Sequence, residues 1–178
     1  MMLTTLKISR DILFLALLAF VLLAGCKPTQ TYFQGYQSEN MGNVALSNIA
    51  AHPQQWQTFD VKLAYQAHIE NQTLNIAGSG QLGNYYQLNS SRIPKLDIYL
   101  FFINSEAKVI KTERLYRALL MQPEAQISFN KTLQVPSGAK AISFGYDGKA
   151  IGDGGGEINS ETGGGGADFF WKLPTKNS

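Results

Sequence analysis

The chain has 178 residues, of which 44% are apolar and 16% charged, with a formal net charge of +2 and one cysteine, Cys26. Nucleic acid is not expected as a partner, because neutralising phosphates needs a concentrated basic surface. A single cysteine excludes an intrachain disulfide, and with it a disulfide-stapled scaffold.

Lys7 and Arg10 precede an apolar run from Ile12 to Ala24, the order of a charged region and a short hydrophobic region in a secretory signal. A transmembrane helix needs roughly 17–25 predominantly apolar residues, and this run ends sooner, at Gly25-Cys26, before Lys27-Pro28. Leu23-Ala24-Gly25-Cys26 resembles the lipobox of bacterial lipoproteins. The resemblance implies cleavage between Gly25 and Cys26, acylation of Cys26, and a place in the cell envelope on a membrane surface. Lys27 stands where many lipoproteins kept in the inner membrane carry aspartate, so an outer-membrane destination is expected. Each buried methylene of an acyl chain contributes about 0.8 kcal/mol, and two or more chains give stable anchoring. Residues 1–25 are then a signal peptide, and about 150 residues remain, enough for one ordinary domain.

Residues 26–55 are rich in Gln, Asn, Ser and Thr without a sustained period, which suits a flexible tether after the lipidated N-terminus. Tyr32, Phe33 and Tyr36 read as tether residues that lie on the domain or at the lipid interface. A helical turn or two is compatible with Val44–Ala51.

The domain is expected over residues 56–178. Phe59, Val61, Leu63, Tyr65, Ala67 and Ile69 alternate with polar residues, the pattern of a half-buried strand. Asn71-Gln72 predicts a turn, and Leu74, Ile76 and Leu82 continue the period through Gly78 and Gly80, where a bulge or a close backbone approach is expected. Leu96 to Ile103 is apolar on both faces apart from Asp97 and reads as the central core strand. Asn104 to Ala107 turns the chain into Lys108-Val109-Ile110. Arg114–Met121 fits either a helix or a further strand with a loop. Ala125–Val135 and Ala141–Tyr146 supply two more strands, the second ending at an Asp147-Gly148 turn. Short strands at this spacing predict an all-β fold, an antiparallel β-sandwich.

Leu96-Asp97-Ile98-Tyr99-Leu100-Phe101-Phe102 with Val109-Ile110, and Pro136 before Ile142-Ser143-Phe144-Gly145-Tyr146, resemble the immunoglobulin-like modules of bacterial envelope proteins, including the FxLyD type. The resemblance implies an immunoglobulin-like sandwich. It carries no site, because that family's aspartate after the tyrosine has no counterpart in Phe101-Phe102-Ile103.

Gly152–Gly166 holds eight glycines and reads as a long loop before a final strand around Asp168-Phe169-Phe170-Trp171. Gly163 to Trp171 fits one copy of a calcium-binding turn repeat, but such sites are built by tandem copies, so no metal is expected.

No catalytic residue is expected either. His52 and His68 lack metal-ligand spacing, and Cys26 is committed to lipid. Ser105-Glu106-Ala107-Lys108 and Ser137-Gly138-Ala139-Lys140 match S-x-x-K, yet both fall in predicted turns without the companion motifs that penicillin-type chemistry requires. Asn71, Asn89 and Asn130 begin N-x-S/T sequons, which the lipobox argues are unmodified. The expectation is therefore a non-enzymatic envelope module without a cofactor, binding another envelope protein through a sheet edge, the glycine-rich loop, or Asp168, Phe169, Phe170 and Trp171. The alternative is a small apolar-ligand carrier with an inter-sheet pocket lined by Tyr65, Tyr99, Phe102 and Phe144.

Overall fold

The computed structural model describes residues 32–38, 41–49, 52–152 and 167–176. Gly25, Cys26 and residues 153–166 of the glycine-rich segment lie outside the described residues, and with them most of the calcium-repeat match. Nine strands follow in chain order among the described residues: β1 (Val44–Ala45), β2 (Gln54–Gln57), β3 (Val61–Glu70), β4 (Thr73–Leu82), β5 (Ser90–Ile103), β6 (Val109–Ala118), β7 (Ile127–Gln134), β8 (Ala141–Gly152) and β9 (Ala167–Lys172). A 3-10 turn occupies Leu46–Asn48, within the stretch where a helical turn fitted the sequence, and a short helix, α1, occupies Asn84–Asn89.

The fold is all-β. One sheet runs β2-β3-β4-β7; the other runs β1-β8-β5-β6, with β9 also beside β8. Every pairing is antiparallel. The pairing follows the immunoglobulin-like scheme, with β3, β4 and β7 as strands A, B and E and β9, β8, β5 and β6 as G, F, C and C′. β2 is an addition beside the first of these.

Alternation decides which side chains fill the space between the sheets. Val61, Leu63, Tyr65 and Ala67 of β3 and Leu74, Ile76 and Leu82 of β4 point inward and are buried. The β3-β4 hairpin turns through Asn71 and Gln72, both at positive φ (48° and 61°), as the two central residues of a type I′ turn require. The close approach expected at the β4 glycines is present: a Cβ on Gly80 would lie 2.5 Å from the Lys62 carbonyl oxygen. Every residue from Leu96 to Ile103 is buried, because β5 is central in its sheet and covered on both faces. Its inner residues, among them Leu100 and Phe102, meet Leu74, Ile76, Tyr65 and Phe144 in the main core.

Three local readings change, one pair of alternatives is decided and one element is added. Phe59 precedes β3 in the β2-β3 turn and is exposed rather than core. Arg114–Met121 is strand up to Ala118, and Met121 then forms a bridge with Ile93. Asp147-Gly148 is not a turn: β8 runs through it to Gly152, pairing Asp147 with Asp97 on one side and Trp171 on the other. The glycine serves packing instead, since a Cβ there would lie 2.2 Å from the Phe170 ring. Helix α1 is too short for periodicity to reveal, yet it buries Tyr86 against Phe170 with ring centroids 4.4 Å apart.

The third change concerns the segment assigned to the tether. Residues 32–38 and Met41 lie on the outer face of the β8-β5-β6 sheet, where Phe33 and Met41 form a second apolar cluster with Tyr99, Phe101, Ile103 and Val109, before the chain enters the sheet edge as β1. Backbone bonds hold this strap in place: Gly35 N–H donates to the Val109 carbonyl (2.8 Å), Val109 N–H to Tyr36 (2.8 Å) and Ser38 N–H to Ala107 (2.9 Å). The Met41 carbonyl accepts from both Trp56 Nε1 (3.2 Å) and Ser143 Oγ (2.7 Å), and so ties the strap to both sheets.

Gly148→Ala is expected to displace the Phe170 ring and to lower unfolding stability by about 1–3 kcal/mol, the usual cost of overpacking a core. Urea unfolding with an unchanged m-value checks this; a midpoint equal to that of the parent would show that Phe170 has room to move.

Candidate interaction face

Along a strand, side chains on one face recur every second residue, and antiparallel register sets them in rows across the sheet. On the outer face of β9-β8-β5-β6 one row reads Trp171, Asp147, Asp97, Arg117. A neighbouring row reads Phe169, Lys149, Lys95, and further along β5 Tyr99 stands opposite Arg114. Aromatic residues on the edge strand thus share one face with a charged centre.

Asp97 anchors that centre. Its side chain is fully buried, and a carboxylate out of water requires compensating donors. Arg117 supplies two, Nε to Oδ1 at 2.8 Å and Nη2 to Oδ2 at 3.1 Å, the bidentate geometry that guanidinium favours. Arg114 Nη1 stands 3.8 Å from Oδ1 and Lys95 Nζ 4.0 Å from Oδ2. Lys95 also donates to Asp147. These groups line a recess of about 240 Å³ together with Phe33, Tyr99 and Thr112. Burial, followed by the Asp97 and Asp147 charges, pushes the Tyr99 phenol up to about 12, so it stays a neutral donor at any physiological pH. Thr112 Oγ1 is buried in this wall without a hydrogen-bond partner among the described residues.

Strand β9 divides its aromatic run by alternation. Phe170 points inward, onto Tyr86 and Tyr146. Phe169 and Trp171 point outward and are 59% and 64% exposed, with the Lys149 ammonium 5.1 Å from the Phe169 ring centroid. Asp168 alternates with Phe169, is partly exposed, and joins Asp60 and burial in raising the Tyr86 phenol. Of the four candidate binding residues, Phe169 and Trp171 therefore remain presented to a partner, whereas Phe170 is withdrawn into the core. Among the described residues β9 pairs only with β8, which leaves its other edge open to a further strand.

The carrier residues do not converge. Tyr65, Phe102 and Phe144 pack in the inter-sheet core, with the Tyr65 and Phe144 rings 4.8 Å apart, but Tyr99 belongs to the outer-face cluster. His68 lies exposed on β3 with Nε2 3.4 Å from Asn75 Nδ2. Both S-x-x-K tetrads fall at turns, and among the described residues no group of three or more His, Cys, Asp or Glu is placed to hold a metal ion. The ion network around Asp97 was missed from sequence, although the one acid inside the apolar run from Leu96 to Ile103 was its signal. Comparisons with protein-family models, curated proteins and solved structures find no match.

Arg117→Ala is expected to cost about 1–3 kcal/mol, because it strips a buried acceptor of two donors. Arg114→Ala alone should cost less, and the double variant more than the sum, by about 0.5–3 kcal/mol of coupling, since Lys95 is then the sole cation left near Asp97. Denaturation of all four proteins measures this, and strict additivity would show that Arg114 does not sense Asp97.

Proposed function

We propose that this protein is a lipid-anchored, non-enzymatic module of the bacterial cell envelope, held by Cys26 at the outer membrane, whose sandwich binds another envelope protein through the β9 edge and its outward aromatics. One observation carries the binding reading: Phe169 and Trp171 stand exposed on a strand that, among the described residues, pairs on one side only. Isolated exposed apolar residues are ordinary; two large rings on the free edge of a sheet, beside Lys149, offer both backbone bonds and side-chain anchorage. The anchor reading rests on Leu23-Ala24-Gly25-Cys26 and its flanks. Among the described residues no helix is long and apolar enough to cross a membrane.

Cys26→Ser is expected to abolish incorporation of labelled palmitate and retention in the membrane fraction. Labelling that persists in the substituted protein would sink the anchor. For the partner site, a photo-crosslinking residue at position 171 should give one discrete envelope adduct. Phe169→Ser should reduce that adduct about tenfold, the effect of losing a hot-spot contact of roughly 1.4 kcal/mol, with the thermal transition unchanged. An adduct indifferent to Phe169, or none at all, removes the β9 edge as the binding surface.

A further inference from the structure

We infer that the recess on the outer face of β5 and β6 is an anion-binding site that holds one carboxylate on a short apolar stem, with Arg114, Thr112 and Tyr99 as its donors. The inference goes beyond the β9 edge and depends neither on that surface nor on the Cys26 anchor.

The site begins with an irregularity in register. β5 pairs Ile98 with Tyr116 and then Tyr99 with Arg114, so that Leu115 is skipped and joins the inter-sheet core. Strict alternation would set positions 114 and 117 on opposite faces. The bulge brings both arginines to the same outer recess, the kind of re-aiming for which bulges are retained.

The cations of the recess are unequally occupied. Arg117 commits its fork to Asp97 through two bonds, and Lys95 is bonded to Asp147. Arg114 Nη1 stands 3.8 Å from Asp97 Oδ1, outside hydrogen-bond distance. Its side chain is 32% exposed and makes no hydrogen bond among the described residues, which leaves its five donors for solvent or a ligand. Two neutral donors stand beside it. Thr112, two positions before Arg114 and therefore on the same face of β6, is 1% exposed, and its hydroxyl has no partner among the described residues. The Tyr99 hydroxyl likewise makes no hydrogen bond there, and the charges of Asp97, Asp147, Arg114 and Arg117 all act on its phenol. A buried hydroxyl without a partner costs free energy, and a ligand oxygen bonded by Thr112 recovers it.

Charge and size choose the ligand. Lys95, Arg114 and Arg117 stand with Asp97 and Asp147 in the lining, a surplus of one positive charge. One carboxylate neutralises that surplus, whereas a dianionic phosphate would add net negative charge beside two existing carboxylates. The planar carboxylate also matches the guanidinium fork. A space of about 240 Å³ is smaller than the pockets that enclose whole drug-sized molecules and admits a head group with a few carbons. Tyr32 and Phe33, whose rings meet edge to face at 5.2 Å, supply the apolar part of the lining.

The full chain, isotopically labelled and held in detergent, is titrated with propionate, with an acetylated three-residue alanine peptide ending in a free carboxylate, with the same peptide amidated, and with inorganic phosphate. Binding is read from the Arg114 Nε–H resonance and the backbone amides of β6. Saturable shifts are expected with both carboxylates, and binding at least about tenfold weaker with the amide and with phosphate. Arg114→Gln should lower carboxylate affinity about tenfold and Thr112→Val about threefold, the latter with a thermal transition no lower than the parent's, because it removes an unpaired buried hydroxyl. A peptide that binds more tightly than propionate makes the ligand a chain terminus, and equal affinities make it a free small acid; either supports the site. Absence of saturation, equal binding of acid and amide, or an affinity untouched by Arg114→Gln overturns it, and phosphate binding more tightly than carboxylate overturns the choice of ligand.

Discussion

From Leu96 to Ile103 strand β5 is buried on both faces, and a strand in that position needs a cover on each side as well as a neighbour at each edge. The second sheet provides the inner cover through Leu74, Ile76 and Tyr65. On the outer side there is no third sheet among the described residues, and the covering is shared between two unlike devices. Near Ile103 the strap lays Phe33 and Met41 over Tyr99 and Phe101; near Leu96 the long side chains of Arg117, Arg114 and Lys95 fold over Asp97. Both exclude water, the first by apolar contact and the second by satisfying a carboxylate that the strand leaves in the interior. Arginine suits that task because its stem packs along apolar surface while its planar head remains bonded.

That division gives the outer face its character. An apolar residue at position 97 would pack without any ionic partner, and such replacements are often neutral or favourable for stability. The charged alternative instead creates a row in which Trp171, Asp147, Asp97 and Arg117 stand side by side. The row joins the strand interior to the open edge, so a partner lying on β9 meets fixed charges next to exposed rings. Positions of fixed charge discriminate among partners more than they add to affinity, which suits a binding surface built mainly on backbone and aromatic contacts.

Much of this architecture was legible in the sequence. The alternation of Val61, Leu63, Tyr65 and Ala67, the Asn71-Gln72 turn, and the unbroken apolar run from Leu96 to Ile103 each report a local property, and each appears in the strands as expected. What escaped was information held in tertiary contacts. Asp147-Gly148 has the composition of a turn, but its glycine answers the Phe170 ring across β8 and β9. Phe33 looks like a tether residue because its partners, Tyr99 and Phe101, lie more than sixty positions away. The candidate residues at 168–171 were legible as a composition, and only strand alternation could divide them into outward Phe169 and Trp171 and inward Phe170.

The strap also determines how the molecule answers force. Gln37 exchanges two backbone bonds with Thr175, at 2.8 and 3.0 Å, while Gly35 and Tyr36 hold Val109 at 2.8 Å each. A pull from the N-terminal side runs along the strap, parallel to the strands beneath it. Such a pull strains these bonds in shear, all at once, whereas a pull across them would open the segment one bond at a time. In a chain tethered at Cys26, tension between the bilayer and a captured partner is therefore resisted cooperatively by the edge of β6 and the C-terminal segment together. The strap and the segment after β9 form a single mechanical clamp, and the sandwich can stay closed under such a pull.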